Sequence, residues 1–308
     1  MTKTKTSIKY LALGNSCLKE FQFNQAINHY KSAAKFLIAK AIKYWPQRKW
    51  PEKCFIVSRD YHFVYSPIPK VASTSFISLV MALHNIDEQK VLQEVGPYRI
   101  HYHITKKFSL SQYNHQEALS IINDPNYFKF VIVRNPWIRL ASAYLDKFVQ
   151  ADDLQLFAQE VIDKVYQRQG QTPNYQQSIT FRQFLNYLQI TEDRYLDHHW
   201  LPQYLFLGSI KFDFVGKVES LDEDFKYLRK RLKINLSLPN NKNRIPYSKL
   251  DDLENYADYY PSQLKEAVTL PKYHQLYTPE LAEIVKLRYR EDIETFGYDF
   301  SSDSNNNN

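Results

Sequence analysis

HFVYSPIPKVASTSFISLVMAL, residues 62–83, and FKFVIVRNPWIRLASAYLDKF, residues 128–148, decide the reading of this chain. Each passes from an apolar, β-branched or aromatic run through a short polar turn into an amphipathic stretch. That order predicts a buried strand leading directly into a helix. A helix that starts just past a buried strand aims its unbonded N–H groups and the positive end of its dipole at whatever lies over the strand's carboxyl edge. One turn carries Lys70 and the other Arg134. The two junctions together predict a site for a ligand with two separate phosphate-like groups. Pro136, at the first position of the second helix, suits a helix start.

The chain has only six glycines and none falls in either junction. GxxxxGK[ST] and GxGxxG are both absent, which argues against an ATP-binding P-loop and a dinucleotide fold.

PKVASTS, residues 69–75, resembles the 5′-phosphosulfate loop of the sulfotransferases. RNPWIRLASAYLDKF, residues 134–148, resembles their 3′-phosphate motif, an Arg followed eight residues later by a Ser. FDFVGKVESLDEDFKYL (212–228) and YTPELAEIVKLRYREDIETFGYDF (277–300) fit the same family in the same order. Over roughly residues 54–300 the chain therefore resembles the carbohydrate sulfotransferases of the chondroitin and dermatan type and their bacterial relatives. Ala72 stands where many sulfotransferases have Gly, a departure that the carbohydrate branch tolerates.

The resemblance implies an α/β fold, with a P-loop-like core in which helices flank a central parallel sheet. It also implies 3′-phosphoadenosine 5′-phosphosulfate as donor, and an acceptor hydroxyl, most simply on a saccharide. Sulfuryl transfer, like phosphoryl transfer, asks the protein mainly to position the donor and neutralise charge on the leaving phosphate. Lys70 is expected to meet the bridging and 5′-phosphate oxygens as a point charge. Ser73, Thr74 and Ser75 bring N–H and hydroxyl donors at the helix start. Arg134 is expected to take the 3′-phosphate in bidentate fashion, with Ser142 reaching it two turns later. No metal enters this scheme.

An acceptor hydroxyl benefits from a base that titrates near neutral pH, which favours histidine. The family places its catalytic histidine between the two phosphate motifs, where this chain has YRIHYHITKKF. His103, just before Thr105, is the first choice and His101 the second; read as extended chain, the i, i+2 spacing puts both rings on one face. His198-His199-Trp200 with Pro202-Gln203 forms a second cluster, unsuited to a metal and read as structural or acceptor-side at His199. Glu219 reads as a structural partner. NKNR, residues 241–244, offers Arg244 or Lys242 to close over the donor, or is a plain polar loop.

The 308 residues, 44% hydrophobic, suffice for one sizeable core and a small appended unit. A net charge of +7 suits an anionic donor, yet no dense basic run points to nucleic acid. Cys17 and Cys54 lack zinc or CxxC spacing and read as reduced thiols. With no signal-peptide core and no apolar window long enough to span a bilayer, the expected location is cytoplasmic.

Residues 7–40 resemble one tetratricopeptide repeat, with Tyr10, Gly14, Ala26, Tyr30 and Ala33 in register. The expected organisation is a helical hairpin over 1–45, a linker over 46–53, the catalytic domain over 54–300 and a disordered tail over 301–308. A single repeat cannot bury its own face, so it offers a surface for the core or for a protein partner. The polar, Gln-rich stretch 167–177 reads as a candidate mobile loop or a surface insertion. Two rival functions remain open: a Mg²⁺-dependent kinase-like transferase, for which Asp60 is the nearby acid, and a non-catalytic interaction protein.

Overall fold

The computed structural model describes residues 54–96, 100–151, 154–208, 210–238, 254–266 and 270–300, and for His101 only the backbone. All lie within one unit, Trp50–Asn308. The repeat-like hairpin, the linker, the loop with Lys242 and Arg244, and the tail lie outside the described residues.

Four strands form one sheet in the order β1 (Ile56–Ser58), β2 (Phe63–Ser66), β3 (Phe128–Val133), β4 (Phe214–Lys217). β2, β3 and β4 are parallel, as the two strand-to-helix junctions require. β1 is antiparallel to β2, so the sheet is mixed, not wholly parallel. The reason is the connection: residues 59–62 can close a hairpin, whereas a parallel return needs a dozen residues or more. Every residue of β1, β2 and β3 is buried, the pattern of strands covered on both faces. Tyr65 and Phe130 stack across β2 and β3 at 5.0 Å, and Phe76 closes over Tyr65 at 5.2 Å.

Between β2 and β3 run α1 (Ser73–Leu83), α2 (Glu88–Val95), α3 (Ile100–Phe108) and α4 (His115–Asn123). α5 (Pro136–Tyr144) follows β3 and passes into a π turn, Leu145–Val149, then come α6 (Leu156–Arg168) and α7 (Phe181–Gln189). After β4 come α8 (Leu221–Leu232), α9 (Pro261–Glu266), α10 (Pro279–Arg288) and α11 (Arg290–Phe296). The starts are marked by side chains: Asn114 and Glu117 form a capping box on α4, Thr180 and Gln183 one on α7, and Thr278 caps α10 with Pro279 behind it. Among the described residues no helix is long and apolar enough to cross a membrane.

One local expectation changes. Residues 100–108 are helical, not extended, because Ile100, Ile104 and Phe108 recur every four residues and turn one stripe into the core. His101 and His103 therefore sit about 200° apart around the helix axis and share no face. The helical run that starts at Pro279 breaks at Tyr289, a buried residue whose hydroxyl donates to the Trp200 carbonyl at 2.5 Å. The Gln-rich stretch is pinned at its end: Tyr166 Oη donates to the Ser178 carbonyl and Gln177 Oε1, and Asn174 Oδ1 accepts from the N–H groups of Gln176 and Gln177.

Candidate active site

β2 and β3 end side by side, with Ser66 paired to Val131, so the loops that follow them leave the same edge of the sheet. In an open parallel sheet that edge is where ligands bind. Ser66 Oγ donates to the Phe206 carbonyl at 2.9 Å and anchors the edge to the segment 203–207.

The first loop adopts left-handed backbone at two non-glycine residues, Lys70 (φ 69°) and Ala72 (φ 62°). Such a conformation costs a side-chain-bearing residue roughly 1–2 kcal/mol, so neighbours must hold it. They do: Arg139 Nε donates to the Pro69 carbonyl at 3.0 Å and Arg134 Nη1 to the Lys70 carbonyl at 3.3 Å. Ala72 is the N-cap of α1 and brings no side-chain acceptor, and the first turn of α1 has no acid. Among the described residues, the helix start that carries Ser73, Thr74 and Ser75 thus has no N-cap side-chain bond and no acid in its first turn to offset its positive end.

The second loop is clamped at its backbone. Gln203, fully buried, accepts from Arg134 N at 2.9 Å and donates from Nε2 to the Arg134 carbonyl at 2.7 Å. Asp292 in turn accepts from the N–H groups of Gln203 and Tyr204, each at 2.8 Å. Asn135 caps α5 by accepting from Trp137 N at 3.0 Å, and its own N–H donates to Glu219 Oε1 at 2.7 Å. Tyr298 Oη donates to the other oxygen of that carboxylate at 3.0 Å, so Glu219 is a structural partner, as the sequence suggests. Ser142 is buried on α5, four residues before Asp146.

Lys70 and Arg134 are brought into one place, with a third cation beside them. Asp146 Oδ2 lies 3.1 Å from Lys70 Nζ and 3.0 Å from Lys147 Nζ. Burial pushes the Lys70 ammonium down to about 8; Asp146 opposes that shift, and Arg134 and Lys147 add to it. Burial alone would raise the Asp146 carboxyl, but Lys70 and Lys147 outweigh it and hold the group below its ordinary range. The arrangement, a helix start, two anchored loops and a net excess of positive charge, is suited to an anion.

Residues 53–299 match the model of the Sulfotransferase family. This chain belongs to the sulfotransferase family. Among its relatives are carbohydrate sulfotransferase 14 of Mus musculus, 29% identical over 194 residues, which cover 58% of this chain and 46% of that one. Carbohydrate sulfotransferase 11 of Rattus norvegicus is 29% identical over 186 residues (57% and 52%). Carbohydrate sulfotransferase 12 of Mus musculus is 28% identical over 227 residues (64% and 53%). The chain thus spans about half the length of these relatives. No solved structure gives a significant match.

In this sulfotransferase family member His103 lies exposed on α3, and α3 packs on α1. His199 is the better-defined histidine. Its Nδ1 is 2.6 Å from Asp197 Oδ1, and its ring stacks on Phe157 at 5.1 Å. Burial would raise the Asp197 carboxyl, yet the bonds to His199 prevail and hold it at about 2. The neighbouring His198 carbonyl accepts from Arg139 Nη2 at 3.0 Å, so the segment that carries His199 is bonded to the same guanidinium as the loop after β2.

Three features escaped the sequence reading: Arg139, Asp146 and the clamp formed by Gln203 and Asp292. A weak signal existed for most of them. Arg139 sits among Trp137, Ile138, Leu140 and Ala141, where a cation must either face water or find buried partners. Asp146 and Gln203 lay within motifs already singled out.

Proposed function

We propose that this chain transfers a sulfuryl group from 3′-phosphoadenosine 5′-phosphosulfate to a hydroxyl on a carbohydrate. The observation that carries the reading is the meeting of the two strand-to-helix loops, with Arg134 Nη1 bonded to the Lys70 carbonyl at 3.3 Å beside the uncapped start of α1. In this scheme the donor's 5′-phosphate faces Lys70 and the N–H and hydroxyl groups of Ser73, Thr74 and Ser75. Arg134 and Ser142 take the 3′-phosphate, and Arg244 closes over the nucleotide. The acceptor oxygen attacks sulfur in line as the bond from sulfur to the 5′-phosphate oxygen breaks. The electron pair stays on the phosphate, where Lys70 stabilises it, and the acceptor proton passes to His103, with His101 as the alternative.

The names of the relatives support a carbohydrate acceptor. We further propose a cytoplasmic enzyme whose residues 7–40 contact a protein partner, to be checked by cell fractionation and by pull-down with and without that segment.

A kinase-like reading has one observation to answer. Asp60 pairs with His84 at 3.4 Å, where it follows β1 at the other end of β2, so it is not beside the donor loop. The acid that does reach the loop is Asp146, and two ammoniums already occupy it.

Calorimetric titration with 3′-phosphoadenosine 5′-phosphate, against 5′-AMP and ATP·Mg²⁺, tests the reading. Tight binding that disappears without the 3′-phosphate is expected; equal or better binding of ATP·Mg²⁺ would overturn it. Lys70→Ala and Arg134→Ala are expected to abolish binding, whereas His103→Ala lowers turnover with donor affinity retained.

A further inference from the structure

A carboxylate stands inside a site suited to anions. Asp146 projects from the π turn that prolongs α5, a turn closed by Gln150 N donating to the Leu145 carbonyl at 2.8 Å. Such bulges interrupt a helix at the cost of regular bonding and recur at functional sites. A carboxylate here repels any phosphate that approaches the same loop. Its position must therefore serve something other than donor attraction.

We propose that Asp146 is a positioning residue: it holds the Lys70 side chain protonated over the donor loop before the donor arrives, then yields it to the donor's 5′-phosphate while Lys147 keeps Asp146 neutralised. The inference rests on the sulfotransferase reading of the site.

The geometry supports each part. One oxygen, Oδ2, meets both ammoniums, at 3.1 Å for Lys70 and 3.0 Å for Lys147, so loss of Lys70 to a phosphate leaves the second bond intact. The Lys70 side chain is only 14% exposed, where an ammonium without a counter-charge tends to release its proton. The other groups around it make that worse. Arg134 and Lys147 are both positive, and α1 offers no acid in its first turn. Arg139, on α5, is a further cation bonded to the Pro69 carbonyl. α9, packed on the π turn, carries only the exposed pair Lys265 and Glu266. Arg139 is itself countered by Asp292 and Asp197; the carboxylate in contact with Lys70 is Asp146, at 3.1 Å.

The test uses the full chain and 3′-phosphoadenosine 5′-phosphate, titrated by calorimetry between about pH 6 and 9.5 to bracket the Lys70 titration, in wild type, Asp146→Asn and Asp146→Glu. Wild-type affinity is expected to hold steady up to about pH 8 and then to weaken as Lys70 deprotonates. In Asp146→Asn the weakening begins on the order of one pH unit lower, while affinity at the acid end stays equal or rises because a repelling charge is gone. Asp146→Glu restores the wild-type profile. A uniform loss at every pH in Asp146→Asn, or a profile superimposable on wild type, overturns the proposal.

Competitive acylation of the Lys70 amine, read by mass spectrometry across the same pH range, measures its protonation without any donor. A midpoint that drops in Asp146→Asn supports the proposal, and an unmoved midpoint overturns it. If the wild type binds no 3′-phosphoadenosine 5′-phosphate at any pH, the sulfotransferase reading fails. The acylation midpoint alone then decides whether Asp146 holds the proton.

Discussion

Arg139 shows how much one side chain can organise. It is 1% exposed, and its guanidinium donates to the Pro69 carbonyl at 3.0 Å, the Leu201 carbonyl at 2.7 Å and the His198 carbonyl at 3.0 Å. Burial pulls its pKa down to about 10, which still leaves it charged at neutral pH. Arg139→Met keeps much of the volume but strands three acceptors. Each buried acceptor without a donor costs roughly 1–3 kcal/mol, so a loss of at least about 3 kcal/mol in urea unfolding is expected. A loss below about 1 kcal/mol would show that Arg139 does not hold these segments together. Arg139→Lys recovers part of the loss at most, because a single ammonium cannot match a planar fork aimed at three carbonyls. This role was not legible in the sequence. An Arg in an amphipathic helix reads as solvent-facing, and its partners lie 59, 62 and 70 positions away along the chain.

The elements themselves were largely legible where local chemistry sets them. α5 begins at Pro136 behind an Asn135 cap, α4 begins behind Asn114, and α10 begins at Pro279 behind Thr278, all through signals within four residues. Replacing Asn114 with Ala is expected to cost about 1 kcal/mol in thermal or urea unfolding, as for other N-caps. Asn135→Ala should cost more, because the same side chain also donates to the Asp299 carbonyl at 2.9 Å in a fully buried position. It should also weaken donor binding, since Asn135 sets the start of the helix beside Arg134. Elements decided by distant packing were harder to read. α3 reads as extended around its two histidines, and it is the full burial of Ile104 that makes it a helix on the core. Gly216 in β4 is another such case. A Cβ there would stand 2.8 Å from Ile132 Cδ1 and 2.8 Å from Phe214 Cε1, so Gly216→Ala is expected to destabilise by roughly 1–3 kcal/mol, measured by urea unfolding.

For the molecule as a whole, pH separates stability from ligand binding. Lys70 titrates at about 8 in the folded chain against an ordinary 10.5. Between those values the unfolded chain binds the extra proton, so donor-free stability gains from this group as pH rises from about 8 to 10.5. On the proposed function, donor affinity is expected to move the opposite way over that window, because a phosphate is held by the protonated Lys70 and not by its neutral amine. Urea unfolding of wild type and Lys70→Met, alongside calorimetry, should show the two trends crossing, and a parallel fall would contradict the assignment. Asp197 has the same sign in a lower window: its carboxyl is held at about 2 against an ordinary 3.8, so its contribution is present above about pH 4 and lost as pH falls toward 2. Asp197→Asn is expected to flatten that acid limb in urea unfolding. The arrangement of loops also bears on redesign. Arg139 and Gln203 stitch residues 198–203 to the two loops proposed to hold the nucleotide. A library that varies this stretch to find new acceptors will therefore disturb cofactor retention as well, and its selection should score nucleotide capture separately from product formation.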